Sequence, residues 1–341
     1  MSERWPQLLG PPPARALLRV AAEDFRVEEI PAYPTSGQGE HLFIEIEKVD
    51  LTTEQVVRAL ADQLGIKPAS IGAAGRKDKH AITRQWLSLP ASAQAALERF
   101  ERAGVQVLQV DRHANKLKTG HLKGNRFQIR LRGIDRAVHA LLEKRLDALG
   151  RGGVPNYFGP QRFGIGGRNE ADGIAILNGR GKRADRNSLR FLLSAVQSAL
   201  FNDVLANRIR AGLFERVLEG DILVKAETGG RFHCQDPALD QPRADRFEIH
   251  PTGPMFGPKM KAPLGQVAQA EQEVLAASGL EAKAFSRFAK LTRGARRSLR
   301  VMPQDLSHRL EADWLELSFV LSAGSYATAV IAELAEVTEG S

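Results

Sequence analysis

In Trp314-Leu315-Glu316-Leu317-Ser318-Phe319-Val320-Leu321 the residues Leu315, Leu317, Phe319 and Leu321 fall on one face, the period of a half-buried strand. Ser325 to Ala335 follow as a capped helix. One strand and one helix cannot bury a core alone, so this terminal segment must complete a sheet begun elsewhere. Charge shows where. Residues 301–341 carry 1 cation and 7 anions and residues 1–75 carry 7 and 11, whereas residues 76–132 carry 13 and 4 and residues 133–300 carry 27 and 18. Acidic ends around a basic middle predict a chain that leaves a first domain near residue 150 and returns to it near residue 300. The expected layout is residues 1–150 with 301–341 as one domain and residues 151–300 as an insertion, rich in loop signals such as Gly229-Gly230 and Pro251 to Pro263.

Working back from the C-terminus, Phe127, Ile129 and Leu131 alternate with Arg126, Gln128, Arg130 and Arg132, a strand whose second face is strongly basic. Further strands are expected at His41 to Glu47, Trp86 to Leu89 and Val105 to Val110. Thr52 with Gln55 forms a capping box ahead of Val56, Val57, Leu60 and Leu64, and Gly65 and Pro68 end that helix. Other helices are predicted at Asp135 to Leu146 and at Ser188 to Ile209, where Phe191, Leu192, Ala195, Ala199 and Leu200 make an apolar stripe. Strands and helices mix without strict alternation, which predicts an α+β fold with a largely antiparallel sheet.

The 341 residues are 43% hydrophobic and 26% charged, the balance of a globular chain rather than a disordered one. No apolar run approaches the ~20 residues that cross a bilayer, and Met1 to Gly10 has no signal-peptide pattern, so a cytoplasmic protein without a membrane partner is expected. The single cysteine, Cys234, excludes an internal disulfide, and the eight histidines show no metal spacing, so no metal is expected. Of the 48 cations 34 are arginines, giving a net charge of +8. A GC-rich coding background would raise the arginine content, but it would not concentrate the charge. A basic middle attracts a polyanion, which makes nucleic acid the leading partner.

Gly164-Ile165-Gly166-Gly167 lacks the third glycine of a dinucleotide loop, since position 169 is Asn169, and no phosphate-loop, zinc-hydrolase or esterase motif occurs. Tyr157, Phe158 and Phe163, interleaved with Gln161 and Arg162 and followed by Arg168, read either as a packed turn or as a platform for stacking RNA bases. Asp78 stands alone among Arg76, Lys77, Lys79, His80 and Arg84. It reads as a surface salt-bridge partner or, on an RNA-attracting surface, as the ionised carboxylate that nucleoside chemistry needs. Asp24, Glu28 and Glu29 lack such surroundings except for Arg19 and Arg26.

Gly75-Arg76-Lys77-Asp78-Lys79-His80-Ala81-Ile82-Thr83 followed by Gln85-Trp86 closely resembles the signature of the TruD family of tRNA pseudouridine synthases, the branch that modifies uridine 13. Glu23-Asp24-Phe25 with Val27 and Glu28, Leu122-Lys123-Gly124-Asn125 with Phe127, residues 153–164, and Ala323-Gly324-Ser325-Tyr326-Ala327-Thr328 match in the same order. The resemblance implies a tRNA isomerase with a mixed α/β catalytic domain and an inserted family-specific TRUD domain, needing no cofactor. It further implies Asp78 as the catalytic carboxylate, with Phe25, Asn125 and the aromatic Tyr326 lining the uridine site and Arg19 as the basic partner of the aspartate. Phe127 is expected to pack beneath Asn125 at the substrate site. Tyr326 departs from the phenylalanine expected at that position. The partner is tRNA, and the chain is expected to act as a monomer. The rival readings are a non-catalytic RNA-binding protein using the same basic face and an RNA methyltransferase, which the failed glycine loop disfavours.

Overall fold

A computed structural model describes residues 4–181 and 185–340. Its two compact units are Pro13–Leu146 with Pro303–Ala327 and Leu334–Ser341, and Met1–Pro12 with Asp147–Met302 and Thr328–Glu333.

The first unit is built on one mixed sheet. Its strands in chain order are β1 (Ala14–Leu18), β2 (Phe25–Pro31), β3 (His41–Val49), β4 (Gly72–Ala73), β5 (Ile82–Pro90), β6 (Val105–His113) and β7 (Leu122–Arg132), followed by Gln304–Leu310, Trp314–Ser322 and Ala335–Glu339. Across the sheet the order runs Gln304–Leu310, Trp314–Ser322, β7, β2, β5, β3, β6, while β1 pairs with both β7 and Ala335–Glu339, and β4 pairs with β5. Only β2 with β5 and β1 with Ala335–Glu339 are parallel among these pairs. Trp314–Ser322 runs antiparallel to β7 from Trp314 opposite Arg132 to Ser322 opposite Gly124, and Leu315, Leu317, Phe319 and Leu321 are all buried. The alternation of that terminal strand thus completes the sheet.

Helix α1 (Thr53–Leu64) covers one end of this face. The Thr52 hydroxyl accepts the Gln55 N–H at 3.1 Å while the Gln55 side chain accepts the Thr52 N–H at 2.8 Å, and Gly65, at φ +64°, ends the helix in the left-handed region. Val56, Leu60 and Leu64 pack on Leu42, Ile44, Ile46, Leu87 and Leu89. Burying each such side chain contributes about 1.5–3 kcal/mol, so this face anchors the strands that carry the site.

The opposite face of β7 carries the expected arginines together with acids that the sequence did not place there. Each arginine there meets an acid supplied by a neighbouring segment: Arg126 pairs with Asp305 at 3.4 Å, Arg130 with Glu316 at 2.7 Å and Arg132 with Asp24 at 2.7 Å. The strand's charge is therefore largely balanced within the sheet. Asp24 is itself buried. Burial alone would raise its pKa, but the hydrogen bonds from Arg132 and from the Ala21 N–H hold the carboxyl below its usual range. Asp24→Asn is accordingly expected to lower unfolding stability by about 1–3 kcal/mol in a denaturant titration. An unchanged midpoint would show the pair to be idle.

The second unit centres on the helix Arg186–Arg210, whose first turn is capped by Asp185 accepting the Asn187 and Ser188 N–H groups at 2.8 and 3.2 Å. Its length and hydropathy would suit a membrane, yet most of its apolar window is buried, as in a core helix. Among its buried residues, Leu193, Val196 and Leu200 pack on Leu177, Phe256 and Phe285. Ala195, Ala199 and Leu200 of the expected stripe are buried, whereas Phe191 at its start is not. Phe191 is 43% exposed, with the Arg162 guanidinium 5.8 Å from its ring. A four-stranded antiparallel sheet places Ile222–Lys225 between Arg231–His233 and Ile249–Met255, the latter paired to Ala295–Ser298. Pro251 and Pro254 therefore lie in a strand and not in the expected loop, with the Pro251 carbonyl accepting the Leu299 N–H at 2.9 Å. Of the two readings of residues 154–167, the packed turn is the one found. Tyr157, Phe158 and Phe163 are buried, with Tyr157 donating to the Pro6 carbonyl at 3.2 Å, Phe158 edge-on to Phe201 at 5.6 Å, and Phe163 at 4.8 Å from Trp5. Rings consumed by packing offer no face to a base.

Candidate active site

Asp78 lies on the loop between β4 and β5, and that loop is held from below by three elements. From β3, the Lys48 ammonium donates to the carbonyls of Leu51 at 2.5 Å and of Asp78 at 2.8 Å. From α1, the Thr53 hydroxyl accepts the Lys77 N–H at 3.0 Å and donates to the Gln85 side-chain carbonyl at 2.9 Å. From β2, the buried Glu29 carboxylate takes the Lys77 ammonium, which is itself only 5% exposed. The same carboxylate accepts the Trp86 N–H at 3.3 Å. Loop backbone that could drift in water is thereby fixed on three sides.

The cations next to Asp78 in sequence are mostly engaged elsewhere. Lys77 turns inward to Glu29, Arg76 pairs with Glu54 at 2.6 Å, and Arg84 pairs with Glu47 at 2.8 Å. The cation that meets the carboxylate comes from the end of β1. Arg19 donates from one Nη to Asp78 Oδ2 at 2.9 Å and from the other to Glu339 at 2.7 Å. Its guanidinium lies 4.2 Å from the Phe25 ring. The Arg19 side chain is 8% exposed whereas that of Asp78 is 43% exposed, so a buried cation presents an accessible carboxylate. Arg19 adopts φ +60°, a conformation that costs on the order of 1 kcal/mol for a non-glycine residue, and the three contacts of its side chain offset that strain.

Phe25 sits directly beneath Arg19 and is 2% exposed. Phe127 is edge-on to Phe25 at 6.3 Å and lies 5.5 Å from Phe319, which closes an aromatic layer under the site. Asn125 shares the face of Phe127 and stands in register with Glu29 on one side and Leu321 on the other. Its preceding residue must be glycine, because a Cβ at Gly124 would run into the Leu321 carbonyl oxygen. Tyr326 follows the turn from Ser322, which is tied to β7 by the Ala323 N–H donating to the Lys123 carbonyl at 3.1 Å, and its ring is half-buried. The fold thus brings Asp78, Arg19, Phe25 and Phe127 into one chain of contacts and places Asn125 and the Tyr326 turn on the neighbouring strand ends. Among the described residues no cluster of three His, Cys, Asp or Glu side chains could hold a metal ion.

Sequence reasoning missed Lys48, Glu29, Lys77, Thr53 and Glu339 as parts of this site. One of them carried a legible signal: Lys48 continues the inward register of Leu42, Ile44 and Ile46, where a charged residue has to be bound or expelled. Burial pushes its ammonium down to about 8, against the opposing pull of Asp78.

The family model for tRNA pseudouridine synthase D matches residues 9–186 and 181–334. The chain belongs to the TruD family. A TruD protein, "tRNA pseudouridine synthase D" of Anaeromyxobacter sp. (strain Fw109-5), is 45% identical over 323 residues, covering 93% of this chain and 91% of that protein. A protein of the same name from Thermus thermophilus is 44% identical over 337 residues, covering 98% and 93%. A solved structure described as a putative TruD from Methanosarcina mazei superposes with a TM-score of 0.77 at 24% identity, covering 96% of this chain and 95% of the other, and so shares the TruD fold.

Proposed function

We propose that this chain converts uridine 13 of tRNA to pseudouridine with Asp78 as the catalytic carboxylate. The observation that carries the reading is the arrangement at Asp78: an accessible carboxylate on a loop whose backbone is pinned, held in place by a buried guanidinium. The reaction breaks the bond between C1' of ribose and N1 of uracil, rotates the base and joins C5 to C1'; the hydrogen of C5 leaves as a proton and N1 takes one up. Asp78 serves it either by attacking the nucleoside or by removing a ribose proton. The base must first leave its stack, at a cost of a few kcal/mol. Asn125 and Tyr326 line the uridine pocket in this reading, while Phe25, buried beneath Arg19 rather than lining the pocket as expected, supports it from below together with Phe127. The unit of Pro13–Leu146 is the catalytic one and the unit of Asp147–Met302 the family-specific grip on tRNA, acting as a cytoplasmic monomer. Release of tritium from tRNA labelled at C5 of uridine tests the reaction, and binding without release would favour a non-catalytic RNA-binding protein.

The ion pairs on β7 bear on how the RNA is held. Because Arg126, Arg130 and Arg132 are balanced within the sheet, neutralising all three is expected to leave the salt dependence of tRNA affinity unchanged. Lys79, exposed on the catalytic loop and making no ion pair among the described residues, behaves differently. Lys79→Gln is expected to flatten the slope of log affinity against log salt by about 0.7, the value for one phosphate contact on a single strand. A reversed order, with the triple variant flattening the slope, would place the tRNA on the β7 face.

A further inference from the structure

Lys48 is fully buried, and no carboxylate lies within ion-pair distance of it among the described residues; its ammonium binds only the carbonyl oxygens of Leu51 and Asp78. A buried ammonium without an anion destabilises a fold, and methionine would fill the same space without that cost. Around it the polar burial continues. Thr83, opposite Lys48 in the β3–β5 register, and Gln85 are both 0% exposed, and Thr83 Oγ1 and Gln85 Nε2 have no hydrogen-bond partner among the described residues. A layer of buried polar groups directly under a catalytic loop is a poor choice for stability alone.

We propose that Lys48 is a positioning residue for Asp78, an inference that rests on the catalytic assignment of that aspartate. Asp78 is gripped at both ends: Lys48 fixes its carbonyl and Arg19 fixes its carboxylate, while the Thr53 hydroxyl fixes the preceding N–H. With the carbonyl fixed, the peptide plane after Asp78 cannot turn, and the direction in which the Cα–Cβ bond points is set before substrate arrives. Arg19 alone would leave the carboxylate paired but free to swing with its backbone. Lys48 acts through the main chain and touches no reacting atom.

Lys48→Met tests this, read by the single-turnover rate at saturating tRNA, by tRNA affinity and by the thermal unfolding midpoint, with Asp78→Asn measured in parallel. The expected result is a rate about 100-fold lower, from loss of alignment, with tRNA affinity unchanged and cooperative unfolding retained within a few degrees. If the methionine variant does not fold, Lys48→Gln, whose amide keeps a donor on a shorter stem, is expected to fold and to show the same split between rate and affinity. A parental rate in a folded Lys48 variant, or a rate loss matched by an equal loss of affinity, would overturn the positioning role while leaving Asp78 in place. Parental activity in Asp78→Asn would instead remove the reading on which it rests.

Discussion

Asp78→Asn is expected to abolish turnover while leaving tRNA binding intact. Asparagine keeps the size of the side chain, its oxygen still accepts from Arg19, and the main-chain carbonyl stays on Lys48, so the loop geometry survives. What disappears is the negative charge that nucleophilic attack or proton removal requires. Loss of a group that forms or breaks bonds costs on the order of 10⁴-fold or more in rate. Binding should be equal or tighter, because an anion has been removed from a surface that meets phosphate. Tritium release under single-turnover conditions separates the two quantities. A variant that binds and turns over like the parent would return Asp78 to the role of a surface salt-bridge partner.

The second large effect is expected at Arg19. Arg19→Met removes the guanidinium that bridges Asp78 and Glu339 and leaves the Phe25 ring, 4.2 Å away, without its cation. Asp78 then keeps its pinned carbonyl but loses the partner that orients its carboxylate. A rate about 100-fold lower at saturating tRNA is expected. Glu339→Gln supplies the comparison. It removes the second partner of Arg19 but leaves the pair with Asp78, and because Glu339 is largely exposed the rate should fall little. Equal losses in the two variants would mean that the bridge to the last strand, rather than the contact with Asp78, is what matters.

Much of this site was legible in the sequence because its signals are local. The capping box of Thr52 and Gln55, the glycine stop at Gly65 and the alternation of Leu315, Leu317, Phe319 and Leu321 each depend on neighbours a few residues away. Asp78 stood out for the same reason, as one carboxylate among cations. The cations beside it in sequence do not serve it: Arg76, Lys77 and Arg84 find acids of their own, and the partner is Arg19 from 59 residues upstream, which the family resemblance implied and the local charge pattern could not show. The partners of the β7 arginines were hidden for the same reason: the basic face is there, but Asp24, Glu316 and Asp305 reach it from distant strands and loops. Tyr157, Phe158 and Phe163 show the converse, since an aromatic-rich segment reads identically whether its rings face solvent or core. The Ala335–Glu339 strand escaped notice because an edge strand pairs on one side and need not alternate strongly; it is this strand that delivers Glu339 to Arg19.

Site-resolved mapping of pseudouridine in an unmodified tRNA transcript, after incubation with this protein or with its Asp78→Asn variant, joins the site to the reaction in one experiment. Conversion at uridine 13 by the parent, and none by the variant at equal tRNA occupancy, is the expected result. Conversion of uridine 13 by both proteins at the same rate would contradict the catalytic role of Asp78 and the arrangement of Arg19 and Lys48 built around it.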